Sequence, residues 1–441
     1  MNTPLLLNAP KFNSRDAARA VKQQAGLMIE AVSAGTLSSL LNLSGMIVTS
    51  YACEKQDKQE ILHIFCEHKH DVAICPDCST VTQAVHERTE RCVRHLDIWG
   101  KRTYVHFAAR RFDCEPCAKS FMEELSWLES QRRESMAYEL HVYNQCRHSD
   151  IAAVAEQEGL HPETVRLLFG RWAKRTVQQQ KRGRVHCLGI DELSLHKGHK
   201  DFVMVLSDLE RHCVIAVLEE RSQEALKGWL NDLSEGERKA IRVVTMDMWG
   251  PYRGVIKSTL PWAEIVADRF HVTKHLNDAI TKIRCALQNK ANPTDYELLK
   301  GTRWILVRHR EELTPAEEAK LQSVLAAFPT LRKAYLLKER FRILSDKLKD
   351  RKQAERFLRA WVYEAQASGL SQLLKFVKTL ENWWEEFLNY FNEGFTSAVV
   401  EGLNNAIRGI IRRAFGYHVF ETFRLHVMVE QGNLPTPSPP I

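Results

Sequence analysis

Two pairs of cysteines, Cys75-Pro76-Asp77-Cys78 and Cys114-Glu115-Pro116-Cys117, carry the most specific chemistry in the chain. Two-residue spacing lets both thiolates of a pair reach one tetrahedral ion, and two pairs complete a four-sulfur zinc site. Such an ion would be structural, stabilising a fold too small to stand unaided. Four unliganded cysteines in a small β domain are the alternative. A redox role fits less well, because neither pair sits at a strand-to-helix junction.

Carboxylates define a second constellation. Asp191, Asp247 and Asp268 each end a short apolar run, and Glu401 opens a helical pattern far downstream. Acids at strand ends stand where open α/β sheets build their sites. Brought within a few ångströms they repel one another unless divalent cations intervene, and hard oxygen ligands with open positions suit Mg²⁺. Two such ions would clamp the attacking and leaving oxygens of a phosphodiester displacement. Each acid alone could instead be a turn residue or a helix cap, Asp268 above all, and spacing does not select Glu401 from the other glutamates.

A third constellation is basic. Between Leu160 and Arg184 stand Arg166, Arg171, Lys174, Arg175, Lys181, Arg182 and Arg184 against the single acid Glu163. Cations on a helix that can also present side chains to base edges are what a DNA-recognition helix requires. The alternative is the solvated face of an ordinary helical hairpin.

The elements that must position these groups are legible in outline. From Gly45 to Arg111 the runs MIVTSY, ILHIFC, RCVRHLDIW and RTYVHFAARRF read as a small antiparallel sheet around the first cysteine pair. Ser149 reads as the N-cap of a short helix stopped by Gly159. Pro162 opens a second helix with Val165, Leu168, Phe169 and Trp172 on one face, a helix-turn-helix spacing. Strands follow over Val185–Ile190, Phe202–Leu206, Cys213–Leu218, Ile241–Met246 and Ala263–Ala267, with a helix over Gln223–Leu233, which together predict a mixed α/β sheet. Leu276 to Tyr390 reads as helical, with a capping box at Thr314-Pro315-Ala316-Glu317, and a last helix spans Val399–Phe415 before a Pro-rich tail.

With 441 residues, 44% of them hydrophobic, the chain has material for two to four domains, which excludes wholesale disorder. Eleven cysteines, an odd number spread over a long chain, argue against a secreted disulfide framework. The N-terminus lacks the basic region of a secretory signal, and the longest uncharged stretch, Ala31–Cys53, is diluted by Ser, Thr, Asn and Gly. A soluble intracellular protein with no membrane partner is expected. The net charge of +7 says little by itself.

In order along the chain, CPDC, then CEPC preceded by ARRFD, then GIDELS, TMDMWGPY, ADRFHV, YLLKERFR and EGLNNAIRGIIRRAFGY resemble the ISL-three family of bacterial insertion-sequence DDE transposases, over roughly residues 38–430. The resemblance implies a multidomain α+β protein. Its parts would be a leader of unknown role (1–37), a zinc ribbon (38–125) and a helix-turn-helix with basic linker (126–184). A ribonuclease-H-like catalytic domain (185–278 and 393–430) would follow, split by an all-α insertion (279–392), with a tail at 431–441. It implies Asp191, Asp247 and Glu401 as a catalytic triad holding two Mg²⁺ or Mn²⁺ ions, supported by Asp268 and His271 of the DRFH element. One structural Zn²⁺ would sit on Cys75, Cys78, Cys114 and Cys117.

The implied reaction is cleavage at the terminal inverted repeats followed by attack of the freed 3′-hydroxyl on target DNA, without a covalent enzyme intermediate. The expected partners are double-stranded DNA and a second copy of the chain on that DNA, in the bacterial cytoplasm at the nucleoid. Arg408, Arg412 and Arg413 either track the DNA backbone or form a solvated helix face. Trp383 and Trp384 are expected in a helical core rather than against a nucleobase. His196, His199, His271 and His275 read mainly as polar surface or DNA contacts rather than zinc ligands. A transposase-derived DNA-binding regulator and a structure-specific nuclease remain as alternative functions.

Overall fold

The computed structural model describes residues 40–438 apart from 42, 57–58, 181–182, 197–199, 349 and 394–397, and the chain divides into two compact units, 1–178 with 435–441, and 179–434. The leader, Lys181, Arg182 and His199, and the side chain of His196, lie outside the described residues.

The first unit opens with β1 (Met46–Gln56), β2 (Gln59–His68), β3 (Ala73–Ile74), β4 (Val81–Thr82), β5 (Val85–Ile98), β6 (Lys101–Cys114) and β7 (Lys119–Met122). The main sheet runs β1-β2-β6-β5, with β7 on the far end of β6. It is not wholly antiparallel as the sequence suggests: β2 and β6 pair in parallel, Ile61 against Arg102 through Phe65 against His106. Those two strands are far apart in sequence, and short alternating runs carry no record of strand direction. Alternation does fix the faces: Val93, Val105, Phe107, Leu62 and Ile64 point into one core with Trp127. The β5–β6 turn places Trp99 and Gly100 at φ +49° and +72°, the two-residue turn that matches the twist of a hairpin.

Three helices follow, α1 (Met136–Cys146), α2 (Ile151–Glu158) and α3 (Pro162–Gln179). The N-cap of α2 is Asp150 rather than Ser149, its carboxylate accepting from the Ala152 and Ala153 amides at 3.0 Å, and Gly159 ends the helix in the left-handed region at φ +62°. Val165, Leu168, Phe169 and Trp172 of α3 are all buried, as their helical spacing requires.

The second unit is built on β8 (Cys187–His196), β9 (Lys200–Asp208), β10 (Cys213–Leu218), β11 (Val243–Met246) and β12 (Glu264–Ala267), ordered β10-β9-β8-β11-β12. The first three form an antiparallel meander, while β11 runs parallel to both β8 and β12. The helices α4 (Gln223–Asp232), α5 (Glu235–Ala240) and α6 (Gly250–Thr259) lie along the chain between β10 and β12. Leu226, Leu230, Tyr252 and Ile256 bury against Leu188, Ile190, Val244 and Met246 of the sheet.

Then α7 (Arg269–Gln288) leaves the sheet and runs unbroken through the expected 278–279 boundary. Its residues Val272, Leu276, Ile280 and Ile283 enter the helical core, so the helix that starts directly after β12 is part of that core and no element ends at 278–279. That core is made by α8 (Pro293–Leu299), α9 (Arg303–Val307), α10 (Pro315–Ala327), α11 (Pro329–Lys347), α12 (Arg351–Ala367), α13 (Ser371–Asn382) and α14 (Trp384–Glu393), with Phe341, Trp361, Phe376 and Phe387 edge-on or stacked at its centre. The capping box at Thr314 and Glu317 forms as expected. Trp383 is buried beneath the sheet-side core, with Arg253 over its ring, and Trp384 packs on the helical core. After α15 (Ala398–Arg413) comes one more helix, α16 (Phe420–Gln431), beyond the helix that the sequence predicts to be the last. No described helix is long and apolar enough to cross a membrane.

Candidate active site and zinc centre

Sheet register creates the carboxylate site. Met246 of β11 pairs with Ile190 of β8 on one side and Ala267 of β12 on the other. Asp191, Asp247 and Asp268 are each the next residue along their strand, and they line one cleft with Thr245, Arg269, Tyr390 and Val400. Asp247 and Asp268 follow the last residues of their strands as expected, but β8 continues through Asp191 to His196 because it still pairs with β9 there.

Asp191 is held from both sides. The Glu192 amide donates to Oδ1 at 2.7 Å, and Asn404 Nδ2 on α15 donates to Oδ2. Burial, then the nearby Asp247 charge, push its carboxyl up to about 6, against the lowering effect of the Glu192 amide, His271 and Asn404. On the alternate side of the strand the Glu192 carboxylate takes Tyr252 Oη at 2.9 Å and Arg221 at 2.8 Å, fixing β8 behind the site.

His271 is not a surface residue. Its Nδ1 lies 2.6 Å from Asp247 Oδ1 and 3.0 Å from Asp268 Oδ2, so the DRFH element closes on the acid of the neighbouring strand. Burial alone would depress its pKa, but the two carboxylates raise it to about 10. It stands as an imidazolium between two acids. Asp268 is the N-cap of α7, its Oδ1 accepting from the Phe270 amide at 2.9 Å, and its Oδ2 faces His271 at 3.0 Å. Asp247, Asp268 and His271 bring ligand atoms within 4.8 Å of one another, a set that could hold a cation only if His271 gave up its proton. Glu401 stands exposed in the first turn of α15, outside that set and one turn before Asn404.

Asn404 and the Glu192–Tyr252–Arg221 group were missed by sequence reasoning. Asn404 carries one legible signal, its position three residues after Glu401 on the same helix, which places the two on adjoining flanks. Asn404 is 4% exposed, and among the described residues its Oδ1 has no hydrogen-bond partner.

The four cysteines of the ribbon converge. Cys75 and Cys78 bracket the turn before β4, while Cys114 ends β6 and Cys117 lies in the turn before β7. Cys75 Sγ is 3.9 Å from Cys117 Sγ, and Cys78 Sγ is 3.5 Å from Cys114 Sγ. Tetrahedral zinc with bonds of about 2.3 Å puts its sulfurs about 3.8 Å apart, so these separations fit the ion. The Thr80 hydroxyl and backbone, then the thiols of Cys117 and Cys114, draw Cys78 down to about 6, while contact with Cys78 and burial push Cys117 up to about 12. Thiols this close cannot all ionise without a cation among them.

The DNA-contact candidates separate by their partners. Arg171 pairs with the buried Glu139, which also accepts from Trp172 Nε1 at 3.2 Å; Arg175 pairs with Glu129, and Arg166 with Glu163. Arg413 pairs with Glu430. Lys174 also has an interaction partner, whereas Arg184, Arg408 and Arg412 are exposed.

Comparison with known proteins gives the family of the chain. A family model described as a transposase, of the DDE class and ISL-three group, matches residues 188–427, and a model of the zinc finger of the IS204/IS1001/IS1096/IS1165 transposases matches 71–117. The transposase for insertion sequence element IS1001 of Bordetella parapertussis is 29% identical over 375 residues, covering 84% of this chain and 92% of that protein. The transposase for element IS1557 of Mycobacterium tuberculosis is 25% identical over 371 residues, 78% of this chain and 82% of that one. With more than half its length matched by the catalytic model and its cysteine ribbon by the second, the chain belongs to the ISL-three family of insertion-sequence transposases.

Proposed function

We propose that this transposase binds the terminal inverted repeats of its element as a homodimer, cleaves the DNA there, and joins the freed 3′ ends to target DNA. The reading rests above all on three carboxylates held in register on β8, β11 and β12, with α15 tied to the first of them by Asn404. The strand order, a three-stranded meander followed by two strands parallel to its first member, supports a ribonuclease-H-like catalytic domain.

Asp191 and Asp247, with Glu401 brought from the first turn of α15, would hold divalent cations, Mg²⁺ or Mn²⁺; those ions supply an activated attacking oxygen and neutralise the leaving one. The carboxylates suit them, because Asp191 carries the strain of a buried charge beside a like charge that a cation relieves. Asn404 and the Glu192 amide hold Asp191 in one orientation. His271 neutralises the repulsion between Asp247 and Asp268 while keeping Asp247 pointed into the cleft. Each chemical step exchanges one phosphodiester P–O bond for another P–O bond, so positioning and charge neutralisation suffice. The ribbon cysteines would bind one zinc ion that stabilises the first unit, and α2 and α3 would carry the DNA-recognition surface.

The test is incubation of the protein with its terminal repeat and Mg²⁺. End cleavage and strand joining are expected of the wild type, and Asp247→Asn should abolish both. Binding without cleavage would make the protein a regulator, and cleavage of branched DNA without joining would make it a nuclease.

A further inference from the structure

Helix α15 has one buried and one bare face. Leu403, Asn404, Ile407 and Ile410 are buried, while Glu401, Gly402, Asn405, Arg408, Gly409 and Arg412 are exposed along a single stripe at helical spacing. Among the described residues neither Arg408 nor Arg412 has a carboxylate partner; Arg408 only donates to Asn405 Oδ1 at 3.0 Å, on the same stripe. A Cβ at Gly402 or Gly409 would meet nothing within 4 Å, so the protein's own packing does not explain these glycines. The stripe ends at Phe415, whose side chain is 100% exposed at φ +53°, a conformation unfavourable for a bulky residue.

The turn that presents Phe415 is closed by backbone hydrogen bonds. The Phe415 amide donates to Arg412 O at 3.1 Å and the Gly416 amide to Ile411 O at 3.0 Å. Gly416, at φ +105°, turns the chain so that Tyr417 packs on Phe423 and His426, with ring centroids 5.4 and 5.6 Å away. Backbone strain and a wholly exposed aromatic are thus maintained together at the end of the helix that begins with Glu401.

We propose that this stripe is the track for the DNA strand leaving the carboxylate site, with Arg408 and Arg412 on its phosphates and Phe415 stacked on an unpaired base. The proposal rests on the transposase reading above. At about 1.5 Å per residue, Arg408 lies about 10 Å along the helix from Glu401 and Arg412 about 16 Å, and Phe415 stands in the turn just beyond the helix end at Arg413, so phosphates and base are engaged in succession along one segment. Two exposed cations with no carboxylate partner among the described residues match a phosphate backbone. A phenyl ring has no polar atom with which to read a paired base edge, and its face complements only a base face that has left the duplex stack.

The test uses the full-length Asp247→Asn protein in Ca²⁺, so that binding is read without cleavage, on duplexes of the element's own terminal repeat, either fully paired or with unpaired nucleotides beyond the cleavage position. Tighter binding of the unpaired form is expected. Adding Phe415→Ala should reduce that preference about 10-fold, within the range measured for base–aromatic stacking, and Phe415→Tyr should retain it. Arg408→Gln and Arg412→Gln should each lower the salt dependence of binding by about one phosphate contact and leave the preference unchanged. Thermal unfolding verifies that each variant folds. A preference untouched by Phe415→Ala overturns the proposal, as does a change confined to self-association, which would make Phe415 a contact between copies. Absence of all repeat binding would instead overturn the transposase reading itself.

Discussion

Replacing Asp191 by Asn should stabilise the second unit while abolishing DNA cleavage. Its carboxyl is raised from 3.8 to about 6 in the folded protein, by burial first and by the Asp247 charge second. A folded pKa above the unfolded one means that the native state binds the extra proton, so stability falls as pH rises from about 4 to about 6 and stays lowered above that. At 1.36 kcal/mol per pH unit, about two units amount to about 3 kcal/mol at pH 8 and about half of that at pH 5. Asp191→Asn removes the charge and keeps the shape. The new carboxamide must present one donor where two acceptors stood, and Asn404 can accommodate it by turning its own amide so that the unpartnered Oδ1 accepts. Calorimetry on zinc-loaded protein without added Mg²⁺ should show the transition of the second unit about 6–12 °C higher for the variant at pH 8, with the gap closing toward acid pH. A variant less stable than wild type at pH 8, or a gap independent of pH, would refute the claim that Asp191 is a strained buried charge. Added Mg²⁺ should raise the wild-type transition and leave the variant nearly unmoved, because relieving that charge is what binding accomplishes.

Asn404→Ala should lower the cleavage rate about 10- to 100-fold, the equivalent of a charge-assisted hydrogen bond of about 1.5–3 kcal/mol, and raise the Mg²⁺ concentration needed for half-maximal rate, both read in a single-turnover assay. Metal analysis should find about one zinc per chain, lost in Cys114→Ser, and chelation should lower the unfolding temperature of the first unit without moving the second. Arg171→Ala should destabilise the first unit by about 3 kcal/mol, because it leaves the buried Glu139 without its cation, whereas Arg184→Ala should leave thermal unfolding unchanged and affect only DNA affinity.

The four-cysteine cluster was the most legible feature, because its members come as two local pairs whose spacing is itself the geometric requirement for a shared ion. Helix starts and stops were nearly as clear: Gly159, Pro162 and the Thr314 capping box act through bonds that span three or four residues. Charge was less informative. Seven cations between Leu160 and Arg184 read as one surface, yet Arg171 and Arg175 are taken up by Glu139 and Glu129, more than thirty residues earlier in the chain. Counting charges along a segment cannot reveal partners supplied from another element. The parallel pairing of β2 with β6 was hidden for the same reason, since an alternating strand has the same pattern in either direction.

The sequence by itself therefore determined the local chemistry: a four-sulfur site, capped helices, three acids at the ends of apolar runs, and an ordered series of motifs sufficient for the family. Tertiary structure alone decided which of these groups meet. Sheet register aligned Asp191, Asp247 and Asp268, the closure of α7 on β11 set His271 between two carboxylates, and the return of α15 after the helical core brought Asn404 to Asp191. Each of those contacts joins side chains through the burial of a whole element rather than through neighbouring residues. Local propensity does not encode that burial, and it becomes definite only when the competing faces have been packed.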